Sequence, residues 1–347
     1  MFNRFRRWLA PDLAIDLGSA STRVAVEGRG LVLDEPSVVA LRRGSRQILG
    51  RGAAVGKLAR QMLGRTPDSI TAVRPIRDGE IADFELCEAM LRHFIQKSLG
   101  TTRPRLRPRV VIAVPGDVTS VARRAVFNSV ERAGAGQVYL VRKAVAAGIG
   151  AGLAIAEPMA TMVCDIGGGT TEIAVFSLTE TIASRSLRVA GDDMDAAICA
   201  CLRQQLGLRI GEQTAEQLKL EIGSAAPLDV ELSAEVRGQD VVSGVPRKAV
   251  VTSQQVRQAL ATPLATIVDG LRSALEDCTA EMLGDLVDNG LVLSGGGALL
   301  RQLDVYLSGQ LNVPVRVADQ PRRTVARGTA ICIEHLAEWR DSLDGGE

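Results

Sequence analysis

The residues of this 347-residue chain whose types and spacing suit chemistry lie in three glycine-rich turns. They are Asp16-Leu17-Gly18-Ser19-Ala20-Ser21-Thr22, Asp165-Ile166-Gly167-Gly168-Gly169-Thr170-Thr171 and Ser294-Gly295-Gly296-Gly297-Ala298-Leu299-Leu300. The first two share an order: Asp, an apolar residue, Gly, small residues, then Thr. Glycine lets the backbone double back and aim successive N–H groups into one concavity, which suits phosphate oxygens. An Asp just ahead of such a turn can hold Mg2+ through water and offset the phosphate charge. Two matched hairpins about 150 residues apart imply a duplicated half-domain that clamps one nucleotide.

Each turn follows an apolar run that reads as a buried strand: Leu13 to Leu17, Met162 to Ile166 and Leu291 to Leu293. Further strand-like runs alternate with amphipathic helical stretches, the pattern of an α/β protein. Helices are expected near Leu86 to Ser98 and from Thr119 to Ala133, the latter stopped by Gly134 as a glycine C-cap. In the second half they are expected near Asp192 to Leu206, Thr214 to Ile222, Ser253 to Leu275 and Leu299 to Leu307. The polar, alternating stretch Ala225 to Val245 reads as a small β excursion. No low-complexity linker separates the halves.

Composition narrows the function classes. Hydrophobic residues make up 46% but aromatics only 3%, so the core rests on Leu, Val, Ile and Ala. Lys plus Arg is 41 against 40 for Asp plus Glu, a balance that argues against a nucleic-acid binder. The six cysteines form no CxxC pair, and Cys199 with Cys201 is a poor zinc spacing; reduced cytosolic thiols are expected. Two histidines give little basis for a histidine-centred metal or catalytic site. No apolar run is long enough to span a membrane, and no secretory signal pattern opens the chain.

The first nine residues are patterned differently. On a helix, Phe2, Phe5, Trp8 and Leu9 cluster on one arc, while Asn3, Arg4, Arg6 and Arg7 take the other side. Pro11 limits that helix. Such a segment suits a bilayer interface, with its rings in the acyl boundary and its arginines at anionic headgroups, and equally a helix that packs its rings on the domain. A helix of two turns binds weakly, so attachment would rely on many copies in one assembly.

Beyond these features the chain resembles the MreB family of bacterial actins nearly end to end. The matching strings are DLAIDLGSAST, EPSVVAL at Glu35 to Leu41, MLGRTPDS at Met62 to Ser69 and RPIRDGEIADFE at Arg74 to Glu85. DIGGGTTEIAVFSL at Asp165 to Leu178, GDDMDAAI at Gly191 to Ile198, AEQLKLEIGSA at Ala215 to Ala225 and SGGGALLRQLD at Ser294 to Asp304 continue them. The resemblance implies an actin-like α/β fold of duplicated RNase H-like cores, two domains with a nucleotide cleft between them. The implied divisions are a membrane helix at 1–10 and domain I at 11–150, with a small subdomain near 37–80. Domain II follows at 151–325, with a small subdomain near 191–248, and a segment at 326–347 returns to domain I.

The same matching implies roles. Gly18, Ser19 and Ala20 form the first phosphate turn, and Gly167, Gly168 and Gly169 the second. Asp16 and Asp165 order Mg2+ and its waters. Glu216, Gln217, Leu218 and Lys219 resemble the ribose and purine contacts, and Gly295, Gly296, Gly297 and Ala298 the adenosine turn. Glu216 and Lys219 share one helix face by their spacing alone, which equally suits a solvated surface pair.

Two positions depart from the family's pattern. Where MreB proteins usually read VERRA, with a Glu that orients the attacking water, this chain reads Val121-Ala122-Arg123-Arg124-Ala125. Where they carry Glu-Pro before AAAIGAG, facing the metal, it reads Lys143-Ala144. Loss of a positioned base typically costs about 10²- to 10⁴-fold in rate. The expectation is therefore a protein that binds ATP and Mg2+ but hydrolyses ATP slowly or not at all, with Lys143 free to contact a phosphate. The run Thr101 to Arg109 presents alternate arginines where the family's membrane loop is apolar, suiting an anionic surface or simple solvation.

The function expected is a cytoskeletal one: membrane-associated filaments, paired protofilaments of this chain, that organise cell shape and cell-wall synthesis from the inner face of the cytoplasmic membrane. Partners would be further copies, anionic lipid and envelope-synthesis proteins, with no nucleic acid. Alternatives are a non-polymerising nucleotide-binding regulator of a conventional MreB and a small-molecule kinase of the same superfamily. A kinase is disfavoured by the short length and the lack of a sugar-site insertion, and a DnaK-type chaperone by the lack of a substrate domain.

Overall fold

The computed structural model describes residues 11–45, 48–52, 54–64, 66–100 and 106–345. The amphipathic segment with Phe2, Arg4, Phe5, Arg6, Arg7, Trp8 and Leu9, and the first part of the arginine-rich run, lie outside the described residues. The chain forms two compact units: one runs through Leu153 and resumes at Arg322, the other is Ala154–Pro321.

In the first unit, β1 (Leu13–Leu17), β2 (Ser21–Val26) and β3 (Gly30–Pro36) form a meander. Two short hairpins follow: β4 (Val39–Arg42) pairs with β5 (Ile70–Val73), with α1 (Lys57–Met62) between them, and β6 (Ile76–Arg77) pairs with β7 (Glu80–Ile81). Then come α2 (Phe84–Leu99), β8 (Arg109–Val114), α3 (Ser120–Ala133), β9 (Gln137–Arg142) and α4 (Lys143–Ala151). Asp83 caps α2 by accepting from the Leu86 N–H at 3.1 Å, and Gly100, at φ 65°, ends it. Leu86, Met90, Leu91, Phe94 and Ile95 recur at helical spacing and bury one face of α2.

The second unit repeats this plan. A meander of β10 (Thr161–Ile166), β11 (Thr171–Ser177) and β12 (Glu180–Leu187) leads to α5 (Gly191–Leu206), β13 (Leu208–Arg209) and α6 (Glu212–Ile222). The hairpin β14 (Ser233–Asp240) and β15 (Pro246–Thr252) forms a small sheet with β13. After α7 (Ser253–Glu276) and α8 (Ala280–Asn289) come β16 (Leu291–Ser294), α9 (Leu303–Leu311) and β17 (Val315–Val317). The chain then re-enters the first unit as α10 (Thr324–Glu334) and β18 (Leu343–Asp344).

The main sheets run β18-β9-β8-β1-β2-β3 and β12-β11-β10-β16-β17. In each, an antiparallel hairpin carries the glycine turn, and a later strand joins its first strand in parallel: β8 beside β1, β16 beside β10. Leu13, Ile15 and Leu17 face a core shared with α2 and α3, while α10 covers the opposite face of β1 and β8. There α4 and α10 cross so closely that a Cβ on Gly150 would strike the Thr324 carbonyl, and one on Gly328 the Ala146 carbonyl.

One element begins later than the periodicity predicts. The helix expected over Leu299 to Leu307 is a 3-10 turn at Gly297–Leu299 followed by α9 from Leu303. Gly297 is pressed on the Ile166 side chain and Gln302 sits at φ 59°, so the chain changes direction before the helix starts.

Candidate functional site

Each unit builds its glycine turn from the same kind of hairpin. Leu17 pairs with Thr22 and Ile166 with Thr171, so four residues close each turn. The Gly18 N–H donates to the Ser21 carbonyl at 3.1 Å, and the Gly167 N–H to the Thr170 carbonyl at 2.9 Å. A Cβ at Gly18 would lie 2.7 Å from the Ser21 oxygen and one at Gly167 would lie 3.0 Å from that of Thr170. The glycines are thus required by the turns themselves.

What holds the turns also frees their donors. In the first, Ser37 donates its hydroxyl to the Gly18 carbonyl at 2.6 Å and its N–H to the Ala20 carbonyl at 3.1 Å. Ser37 Oγ also lies 2.8 Å from Thr22 Oγ1, and Ser19 Oγ accepts from the Gly79 N–H at 3.0 Å. In the second turn, the Gly191 and Asp192 N–H groups at the start of α5 donate to the Gly167 and Gly168 carbonyls at 3.2 and 2.7 Å. With these carbonyls tied back, the N–H groups of Ser19, Ala20, Gly168 and Gly169 find no acceptor among the described residues. Paired free N–H groups of this kind form an anion-binding concavity.

The acids ahead of the turns differ. Asp16 is held by Arg23 at 3.3 Å. Asp165, likewise buried, accepts from Ser294 Oγ at 2.7 Å, which links β10 to the third glycine turn. Their fit to a divalent cation differs accordingly: Asp165 has a hydroxyl neighbour, whereas Asp16 is charge-compensated by a guanidinium.

In the second unit the remaining site residues gather around the turn. Lys219 on α6 reaches the Gly191 carbonyl at 2.7 Å and Asp195 at 2.7 Å, fastening α6 to α5. Glu216 lies half-buried one turn earlier, Gln217 faces solvent and bonds Glu221 at 2.7 Å, and Leu218 is in the core, leaving only its backbone to a ligand. A Cβ at Gly295 would collide with the Ile166 carbonyl, whereas Gly296 borders open space and Ala298 is buried. Ala225 donates to the Arg301 carbonyl at 2.8 Å, tying the end of α6 to this third turn.

Of the two departures, Ala122 lines an apolar cavity of about 180 Å³ with Ile81, Phe84, Val121 and Val126. Lys143 opens α4 and is buried. Sequence reasoning gave no role of their own to Arg23, Ser37, Asp195 and Ser294. Only Ser294 carried a local signal, as the residue that ends the strand before a glycine turn.

The duplicated meanders, the parallel strand added to each and the paired glycine turns define a protein of the actin-like class. The MreB/Mbl protein family model matches residues 10–341. The chain is 47% identical over 336 residues to the cell shape-determining protein MreB of Escherichia coli K12, covering 97% of each. It is 43% identical over 327 residues to the cell shape-determining protein Mbl of Bacillus subtilis 168, covering 94% of this chain and 97% of that one. Among solved structures, MreB5 of Spiroplasma citri bound to AMPPNP matches with a TM-score of 0.89 at 33% identity, over 96% of this chain and 98% of that one. The chain belongs to the MreB/Mbl family.

Proposed function

We propose that this protein binds ATP through both phosphate turns and polymerises into membrane-associated filaments that organise cell shape and cell-wall synthesis. The observation that carries the reading is the pair of turns, each with two N–H donors that find no acceptor among the described residues. The relatives' description as cell shape-determining proteins supports the cellular role, and the AMPPNP-bound relative supports the ligand. Lys219, Glu216 and the Gly295–Gly297 turn would take the nucleoside, and Asp165 would hold Mg2+ through water. When bound, the metal would offset phosphate charge.

Membrane attachment rests on the sequence pattern of Phe2, Phe5, Trp8 and Leu9 with Arg4, Arg6 and Arg7. Among the described residues no helix is long and apolar enough to cross a membrane, so attachment would be peripheral, on the inner face of the cytoplasmic membrane. The test is electron microscopy of the purified protein with Mg-ATP and anionic vesicles, beside a Phe2→Ala/Trp8→Ala variant. Filaments on vesicles, released from lipid in the variant, are the expected result. Absence of polymer under every nucleotide condition would favour the regulator instead, a role that the altered Ala122 and Lys143 positions also suit.

A further inference from the structure

In the first unit, positive charge lies beside the acid that precedes the glycine turn. Asp16 on β1 and Arg23 on β2 are register partners, joined at 3.3 Å with both side chains only 9% exposed. Arg23 is also 3.3 Å from Asp34 on β3. A divalent cation drawing on Asp16 would share it with a buried guanidinium. Among the described residues no three His, Cys, Asp or Glu side chains are grouped to hold a metal ion.

Lys143 supplies a second cation at the same edge. It is 6% exposed, and no hydrogen bond or ion pair reaches its side chain among the described residues. An ammonium buried without a partner is costly. Its nitrogen is nevertheless not among the unpartnered atoms sealed from solvent, so the tip of this buried side chain keeps some contact with solvent.

Topology says where that tip stands. Strands β9, β8 and β1 are parallel, and Lys143 directly follows β9, so it shares the sheet's carboxyl edge with the Gly18 turn. Asp16 pairs with Ala113 and Ala113 with Val141, a line across the sheet that ends two residues before Lys143. Two strand spacings, about 10 Å, separate β9 from β1. A Cα–Cβ bond in a helix tilts toward the helix N-terminus, which at Lys143 is this edge. Open α/β sheets take their ligands there.

We infer that the first half-site holds the terminal phosphate of a nucleoside triphosphate with the Lys143 ammonium, Arg23 neutralising Asp16, so that nucleotide stays bound without a divalent cation. The inference rests on the nucleotide reading above. An ammonium with three donors acts on phosphate as a point charge and takes over the compensation a metal ion would give.

The experiment is calorimetric titration of AMPPNP into the full-length protein in Mg2+ and in EDTA, for the unaltered chain, Lys143→Gln and Lys143→Met. The unaltered chain is expected to weaken less than about tenfold in EDTA, and Lys143→Gln to weaken more than about tenfold. Circular dichroism melting identifies a variant that has failed to fold, and the EDTA result on the unaltered chain then decides alone. A loss of about tenfold or more in the unaltered chain overturns the inference, as does equal affinity of the folded variants and the unaltered chain in EDTA. Binding in neither buffer overturns the nucleotide reading itself.

Discussion

Lys219 on α6 joins Asp195 on α5 at 2.7 Å and, with the same ammonium, the Gly191 carbonyl at 2.7 Å. The pair is therefore a strut behind the second phosphate turn, whose carbonyls Gly191 and Asp192 hold. Burial pushes Asp195 up to about 6, against the pull of Lys219 and with help from Glu216 and Asp192.

The sign of that shift makes a prediction. The folded value lies above the ordinary 3.8, so the folded protein takes up the proton first. This group adds stability as pH falls from about 6 toward 4, and its cost is complete above about 6. Lys219→Met strands the charge and is expected to cost about 3 kcal/mol near pH 7.5, with part of the loss recovered near pH 5. Asp195→Asn removes the charge that burial disfavours and should cost less. Urea unfolding of both variants at the two pH values checks this; equal losses near pH 7.5 would count against it.

A second prediction contrasts two glycines. Gly328 packs against the Ala146 carbonyl, while Gly284 in α8 has open space around its missing side chain. Gly328→Ala should cost about 3 kcal/mol, because backbone faces backbone and neither helix can yield. Gly284→Ala should gain about 0.5–1 kcal/mol by removing glycine's entropy penalty in a helix. Thermal melts of the two variants should move in opposite directions.

These cases also show what the sequence carries. The apolar runs Leu13 to Leu17 and Met162 to Ile166 announce their strands because central strands are buried on both faces, and the glycine turns follow from local sterics. The helices expected from Leu86, Thr119 and Ser253 start within two residues of those positions, at Phe84, Ser120 and Ser253. Arg23 and Ser37 were not legible, because their roles depend on cross-strand register and on a loop folded back over Gly18. Asp195 gained its meaning only when α6 docked on α5.

Ser37 gives a third prediction. Its hydroxyl is fully buried and satisfies the Gly18 carbonyl at 2.6 Å. Ser37→Ala leaves that carbonyl without its donor, at a cost of about 1–3 kcal/mol. Because that carbonyl shares its peptide plane with the Ser19 N–H, affinity for AMPPNP should fall as well. A thermal melt paired with a binding titration separates the two effects. Lost stability with unchanged affinity would show that Ser37 serves only the fold.

The last prediction concerns turnover. Ala122 presents a methyl group to an apolar cavity, and Lys143 presents a cation at the sheet edge that carries the first turn. Neither side chain accepts a proton from water or orients it through a negative charge. Phosphoryl transfer draws mostly on positioning and electrostatics, so a water-orienting group is among the few dedicated parts it can lose. Turnover should therefore be about 10²- to 10⁴-fold below that of the Escherichia coli MreB measured alongside. The double variant Ala122→Glu/Lys143→Glu should raise it at least about tenfold in Mg2+. The same variant should make nucleotide binding depend on the metal, since a carboxylate at the head of α4 would repel the phosphate that Lys143 attracts. Single-turnover hydrolysis with Mg-ATP, at protein concentrations both below and above those that polymerise, separates chemistry from assembly. Turnover of the unaltered chain equal to that of the Escherichia coli protein would show that other groups orient the water.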